Sequence, residues 1–160
     1  MSDWIPNEEW ETIVNSVPIV SVDLVVECPD GIVLGQRSNE PAKGEWFVPG
    51  GRVQKGESLD EAVHRIAMEE LGVDIEVVEK VGAFEHFYET SEVGGKKHYV
   101  AHGFHVWTED SGLTSDTQHN QLGTFEDLPH DLHEYVVNYF EAADLSTISS
   151  PQLYAHPDTL

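Results

Sequence analysis

Between Ser58 and Gly72 the chain carries both the start and the stop of one helix, and no other stretch constrains the fold as tightly. Ser58, with Glu61 three residues later, makes a capping box in which each side chain takes a backbone N–H of the other. Gly72 is placed to end the helix in a left-handed turn. At about 100° per residue, Leu59, Ala62, Val63, Ile66 and Ala67 share one arc, the face such a helix must bury. Glu70 lies in the middle of that arc, whereas Glu61, Arg65 and Glu69 lie on the polar side. An inward carboxylate is costly to desolvate unless a cation or several donors meet it. Glu70 therefore needs a metal ion, an arginine, or a solvent-open place at the helix end.

The residues just before this helix bear on that choice. Pro49-Gly50-Gly51 reads as a glycine turn, and glycine lets a backbone approach a ligand closely. Its carbonyls can face Glu70, Arg52 is adjacent, and oxygen donors of this kind suit a hard cation such as Mg²⁺ bridging to diphosphate oxygens. Around this centre the patterning predicts a helix over 7–17 with Asn7 as its cap, and strands over 19–27 and 32–36 joined by the turn Cys-Pro-Asp-Gly. Short strands follow at 46–48 and 122–125, with longer ones near 74–81, 83–88 and 99–107. Gly94-Gly95-Lys96-Lys97 reads as the loop between the last two. Pro129 is placed to open a final helix whose apolar stripe is Leu132, Tyr135, Val136, Tyr139 and Phe140. Residues 1–145 read as a single domain and 146–160, polar and rich in Ser, Pro and Thr, as a loose tail. Strands interleaved with few helices imply an α/β fold, a mixed sheet sandwiched between helices.

Charge narrows the setting. Among 160 residues there are 30 Asp and Glu against 8 Lys and Arg, a formal net charge of −22, with a hydrophobic content of 39% that is ample for one core. The acids run the length of the chain, so a whole solvated surface carries one sign. Molar salt shortens the Debye length to about 3 Å and removes most of the resulting self-repulsion, which points to the cytoplasm of a halophile. Binding to nucleic acid is disfavoured, because phosphate neutralisation needs a basic patch. The longest apolar run, 19–26, is broken by Ser21 and Asp23, well short of the roughly 20 residues a membrane helix requires. No secretory signal opens the sequence, and the lone Cys28 has no internal disulfide partner, so a cytoplasmic location is expected. Where basic residues are so scarce, the three arginines, Arg37, Arg52 and Arg65, are candidates for pairing or ligand binding.

The segment 51–73 resembles the Nudix box: Gly51, Glu57, Arg65, Glu69, Glu70, Gly72 and Val73 fall in register with it. One position departs, since the box has Glu where this chain has Ile66, one turn before Glu70 on the same inner face. That departure is a feature of one branch, the GDP-mannose mannosyl hydrolases. The chain is similar to that branch over most of its length, at Val17-Pro18-Ile19-Val20-Ser21-Val22-Asp23, Leu34-Gly35-Gln36-Arg37, 44–55, His86-Phe87-Tyr88, His98-Tyr99-Val100 and Gln118-His119. The loop between Tyr88 and His98 is shorter than in that branch.

The resemblance implies a Mg²⁺ ion, with Mn²⁺ as a substitute, held by the carbonyl of Gly50, the carboxylate of Glu70 and the amide of Gln118. It implies His119 as the base that takes a proton from water, a task that suits a group with a reference pKa near 6.5. Arg37 and Arg52 would sit on the diphosphate, and Asp23, His86 and Tyr99 around the sugar and diphosphate. The implied reaction is hydrolysis of GDP-mannose or GDP-glucose to GDP and free sugar, with inversion at the anomeric carbon, by a homodimer. GDP is a good leaving group, so metal and arginines suffice without a general acid. Two other readings stay open: a pyrophosphohydrolase using Glu57, Glu69 and Glu70 to cleave a P–O bond, and a non-catalytic nucleotide-binding module. The four tryptophans read as core or interface residues, with stacking on a base as the alternative.

Overall fold

The computed structural model describes residues 4–38, 41–110, 121–129 and 131–145. In chain order the elements are α1 (Asn7–Ser16), β1 (Ile19–Cys28), β2 (Gly31–Gln36), β3 (Trp46–Phe47), β4 (Gly50–Arg52), α2 (Leu59–Leu71), β5 (Glu76–Tyr88), β6 (Lys97–Trp107), β7 (Gln121–Phe125) and α3 (Glu134–Ala142). The strands form one mixed seven-stranded sheet in the order β3-β2-β1-β6-β5, with β4 also on β1 and β7 also on β2. The expected mixed sheet between helices is therefore the observed architecture. Among the described residues, no helix is long and apolar enough to cross a membrane.

β1 organises the sheet. One edge runs parallel to β6 over nine residues, from Ile19 opposite Tyr99 to Glu27 opposite Trp107. The other edge is divided, with residues 21–23 pairing antiparallel with β4 and residues 26–28 with β2. Side chains alternate across the pleat. Val22, Leu24 and Val26 pack with Ala62, Val63, Ile66, Ala67 and Leu71 of α2 on one face. Val25, Ile32 and Leu34 pack with Val136, Tyr139 and Phe140 of α3 on the other.

α2 has the expected ends. The Ser58 side chain accepts from the Glu61 N–H at 3.1 Å, Glu61 accepts from the Ser58 N–H at 2.8 Å, and Gly72 closes the helix at φ 71°. Four expectations are corrected. Pro6, not Asn7, is the N-cap of α1, because its extended backbone (φ −57°, ψ 148°) sets the entry without a side-chain bond. The glycines after Pro49 form strand β4, since their backbone finds ladder partners on β1. The two strands predicted over 74–81 and 83–88 are one, β5, in which register shifts pass over Val78 and Val81 while Gly82 stays paired with Gly103 of β6. Finally, α3 starts at Glu134 and not at Pro129: the imidazole of His133 accepts the Tyr135 N–H at 3.1 Å and caps the first turn.

Candidate active site

On β1 the odd-numbered residues Ile19, Ser21 and Asp23 face the α3 side, near the N-terminal ends of β1 and β6. There they meet His86 and Tyr88 of β5, Lys97 and Tyr99 of β6, Phe47 of β3 and the backbone of β4. Together with Arg37 and with Trp10 of α1, they enclose a cavity of about 210 Å³. Six of the residues singled out from sequence, Asp23, Arg37, Gly50, Arg52, His86 and Tyr99, line it. A smaller adjoining cleft of about 30 Å³ is bordered by Arg37, Gly50 and Glu70. Gln118 and His119 lie outside the described residues, as does the tail predicted over 146–160.

The floor is a buried acid. Asp23 Oδ2 accepts a 2.6 Å hydrogen bond from the hydroxyl of Tyr139 and stands 4.0 Å from His86 Nδ1. On the neighbouring strand, a Cβ at Gly50 would collide with Asp23 Oδ1, so only glycine lets β4 approach the acid this closely. Burial pushes the Asp23 carboxyl up to about 6, against the pull of Tyr139 and Arg37. Burial pushes the His86 imidazole down to about 4, with His133 adding to the effect, so it is neutral at physiological pH. Its ring stacks on Tyr135 at 4.0 Å with an interplanar angle of 10°. Tyr88 is held protonated, mainly by burial and then by the nearby Asp23.

The cations are held differently. Arg37 Nε donates to the Pro41 carbonyl at 2.7 Å, which braces the guanidinium between the two cavities. Arg52 lies over the Trp10 ring, 5.6 Å from its centroid. Lys97, nearly buried, donates to both oxygens of Glu92 at 2.9 Å and lies over Trp10 and Tyr99. Trp10 Nε1 also donates to Glu92 at 3.0 Å, which ties α1 to the cavity wall.

The three box glutamates separate into two roles. Glu57 accepts from Arg65 at 2.6 and 2.9 Å and from the Gln54 N–H, and its carboxyl lies below the usual range chiefly because of Arg65. Glu69 accepts from Arg65 at 2.9 Å, and Arg65 also donates to the Arg52 carbonyl, fixing the end of β4 against α2. Glu70 alone of the three borders the small cleft. Ile66, 1% exposed, is packed beside Gly51 where the box has a carboxylate. Among the described residues, no three His, Cys, Asp or Glu side chains are grouped to hold a metal. A carboxylate and a carbonyl bordering one cleft are nonetheless hard oxygen donors of the kind Mg²⁺ and Mn²⁺ accept, with substrate oxygens completing the shell.

Trp10, Lys97, Glu92 and Tyr139 were not singled out as site residues. Lys97 was within reach of the scarcity argument that selected the arginines, since it too is one of eight cations. Tyr139 was placed only in an apolar stripe, and nothing local marks the purpose of its hydroxyl.

This mixed sheet, with the box helix on one face and on the other a cavity that gathers arginines beside an acid, has the architecture of a Nudix-type hydrolase. The NUDIX domain family model matches residues 17–153, and the chain belongs to that family, whose hydrolases act on nucleotide derivatives with divalent metals. Over 142 residues it is 54% identical to the low-salt glycan biosynthesis protein Agl8 of Haloferax volcanii, covering 88% of this chain and 91% of that one. It is 40% identical to an ADP-ribose pyrophosphatase of Methanocaldococcus jannaschii over 67 residues, covering 42% and 40% of the two chains. Among solved structures, a MutT NUDIX hydrolase from Burkholderia pseudomallei superposes with a TM-score of 0.68 at 25% identity, covering 79% of this chain and 98% of that one.

Proposed function

We propose that this Nudix hydrolase cleaves a nucleotide sugar, GDP-mannose or GDP-glucose, at the anomeric carbon, releasing GDP and the free sugar with inversion. The observation that carries the reading is the allocation of the box acids: Arg65 takes up Glu57 and Glu69, Ile66 replaces a carboxylate, and Glu70 borders the cleft beside Gly50. So sparse a set of acids suits one metal ion on the diphosphate, not an assembly of ions around an attacked phosphorus. Glu70, the Gly50 carbonyl and Gln118 would hold that ion, which supplies charge neutralisation on the leaving diphosphate.

The chain's own residues supply the rest. Arg37 and Arg52 bind the diphosphate and stabilise the charge that gathers on GDP. Asp23, His86 and Tyr99 receive the sugar, and neutral His86 can hydrogen-bond without repelling the arginines. His119 takes a proton from water as the water oxygen bonds to the anomeric carbon and the bond from that carbon to the β-phosphate oxygen breaks, its electron pair leaving with GDP. The glycan-biosynthesis name of the Haloferax relative supports a sugar-bearing substrate, and that source together with the charge of −22 supports a halophile's cytoplasm. Homodimerisation is carried over from the family resemblance.

Hydrolysis in ¹⁸O-water decides the bond. Label in the sugar, with GDP as the nucleotide product, is the expected result. Label in phosphate, with GMP and sugar phosphate, would establish the pyrophosphohydrolase reading that the likeness to the Methanocaldococcus enzyme favours. Metal-dependent binding without turnover would leave a nucleotide-binding module.

A further inference from the structure

We propose that Tyr139 is a positioning residue for Asp23: its hydroxyl fixes the acid's orientation on the cavity floor, and Gly103 makes the room through which the phenol reaches it. This rests on the proposed function in giving Asp23 a place at the sugar. Tyr139 does not itself line the cavity. Its ring is fully buried among Phe84, Phe140 and Val136, in a setting where phenylalanine would pack as well. What the hydroxyl adds is the 2.6 Å bond to an acid 116 positions earlier in the chain.

The bond is installed at a cost in three places. Aspartate is disfavoured within a strand, and a buried carboxylate and a buried phenol each lose hydration that an apolar core pair would not. The third cost is on β6, where Gly103 stands directly opposite Asp23 in the parallel register. A Cβ there would lie 2.6 Å from Tyr139 Cε1, 2.8 Å from Cδ1 and 2.8 Å from Val81. Any other residue at 103 would push the ring off the sheet, and the hydroxyl away from the acid.

The consequence for the carboxylate is directional. Oδ2 is engaged by Tyr139 from behind, and Oδ1 occupies the space that a side chain at residue 50 of β4 would fill, so the hydrogen bond to Tyr139 sets the turn of the carboxylate about its terminal bond. The acid therefore presents one fixed edge to the cavity. Preorganisation of this kind acts on the transition state more than on ground-state binding.

The test is a double-mutant cycle on the full-length protein, with whichever nucleotide derivative the wild type hydrolyses. Tyr139→Phe is expected to lower kcat about tenfold or more with KM changed less than about threefold, and to cause no further loss in an Asp23→Asn background. Gly103→Ala, which leaves the hydroxyl but displaces the ring, should show the same loss and the same silence beside Asp23→Asn. Wild-type kcat in Tyr139→Phe, or losses that multiply with Asp23→Asn, would overturn the proposal. The destination of ¹⁸O in the wild type is read separately, so label in phosphate removes the sugar from the reading while the cycle still judges the Tyr139–Asp23 coupling.

Discussion

His86 is the side chain whose protonation most plainly trades against folding. Its folded pKa is near 4, against an ordinary 6.5, and its side chain is 4% exposed. Between those values the unfolded chain holds the extra proton, so the stability that neutral His86 contributes is whole above pH 6.5 and drains away as pH falls toward 4. At 1.36 kcal/mol per unit, the amount at stake is about 3 kcal/mol. His86→Asn should therefore gain on the wild type by about that much between neutral pH and pH 4, measured by urea unfolding at each pH. Asp23, shifted in the opposite sense, is present in both proteins and drops out of the comparison. At this scale the sequence was legible where a residue's neighbours are local. Glu70 and Ile66 could be placed on the inner face by counting turns, and Arg65 could be paired with Glu69 one turn away. Asp23 could be singled out only through a family resemblance, and the task of Tyr139 not at all, because a contact spanning most of the chain leaves no periodic trace.

For elements, the same division holds. The ends of α2 are written in the four residues of its capping box and in one glycine, and every bond involved lies within a helical turn. Ser58→Ala removes the acceptor for the Glu61 N–H and should cost about 1 kcal/mol in denaturant unfolding, with little change in the spectrum of the folded protein. β4 was read as a turn because its strand character comes from residues 21–23 of β1, not from its own Gly-Gly-Arg. β5 was split at Gly82, where local sequence favours a break and the long ladder with β6 overrides it. The start of α3 was placed too early because Pro129 resembles a first helical residue, whereas the capping acceptor is an imidazole.

For the whole molecule, charge is distributed against itself. Three of the eight cations, Arg37, Arg52 and Lys97, gather at one cavity while the rest of the surface is overwhelmingly acidic. Self-repulsion of the shell falls as salt screens it, whereas Lys97, enclosed by Glu92, Trp10 and Tyr99, is shielded from that screening. The thermal midpoint should accordingly rise between about 0.1 M and about 2 M KCl, as read by calorimetry, and equal midpoints would count against the halophile setting.

The parallel pairing of β1 with β6 also fixes when the cavity can exist during synthesis. Asp23, Arg37, Gly50, Arg52 and Glu70 all leave the ribosome early, but the parallel partner that seats the strand carrying Asp23 arrives roughly eighty residues later. Until then an apolar strand edge stands open, with the hazard of pairing with another nascent chain. Ligand-binding competence is thus a late event in biogenesis, gained only when the second half of the polypeptide threads alongside the first.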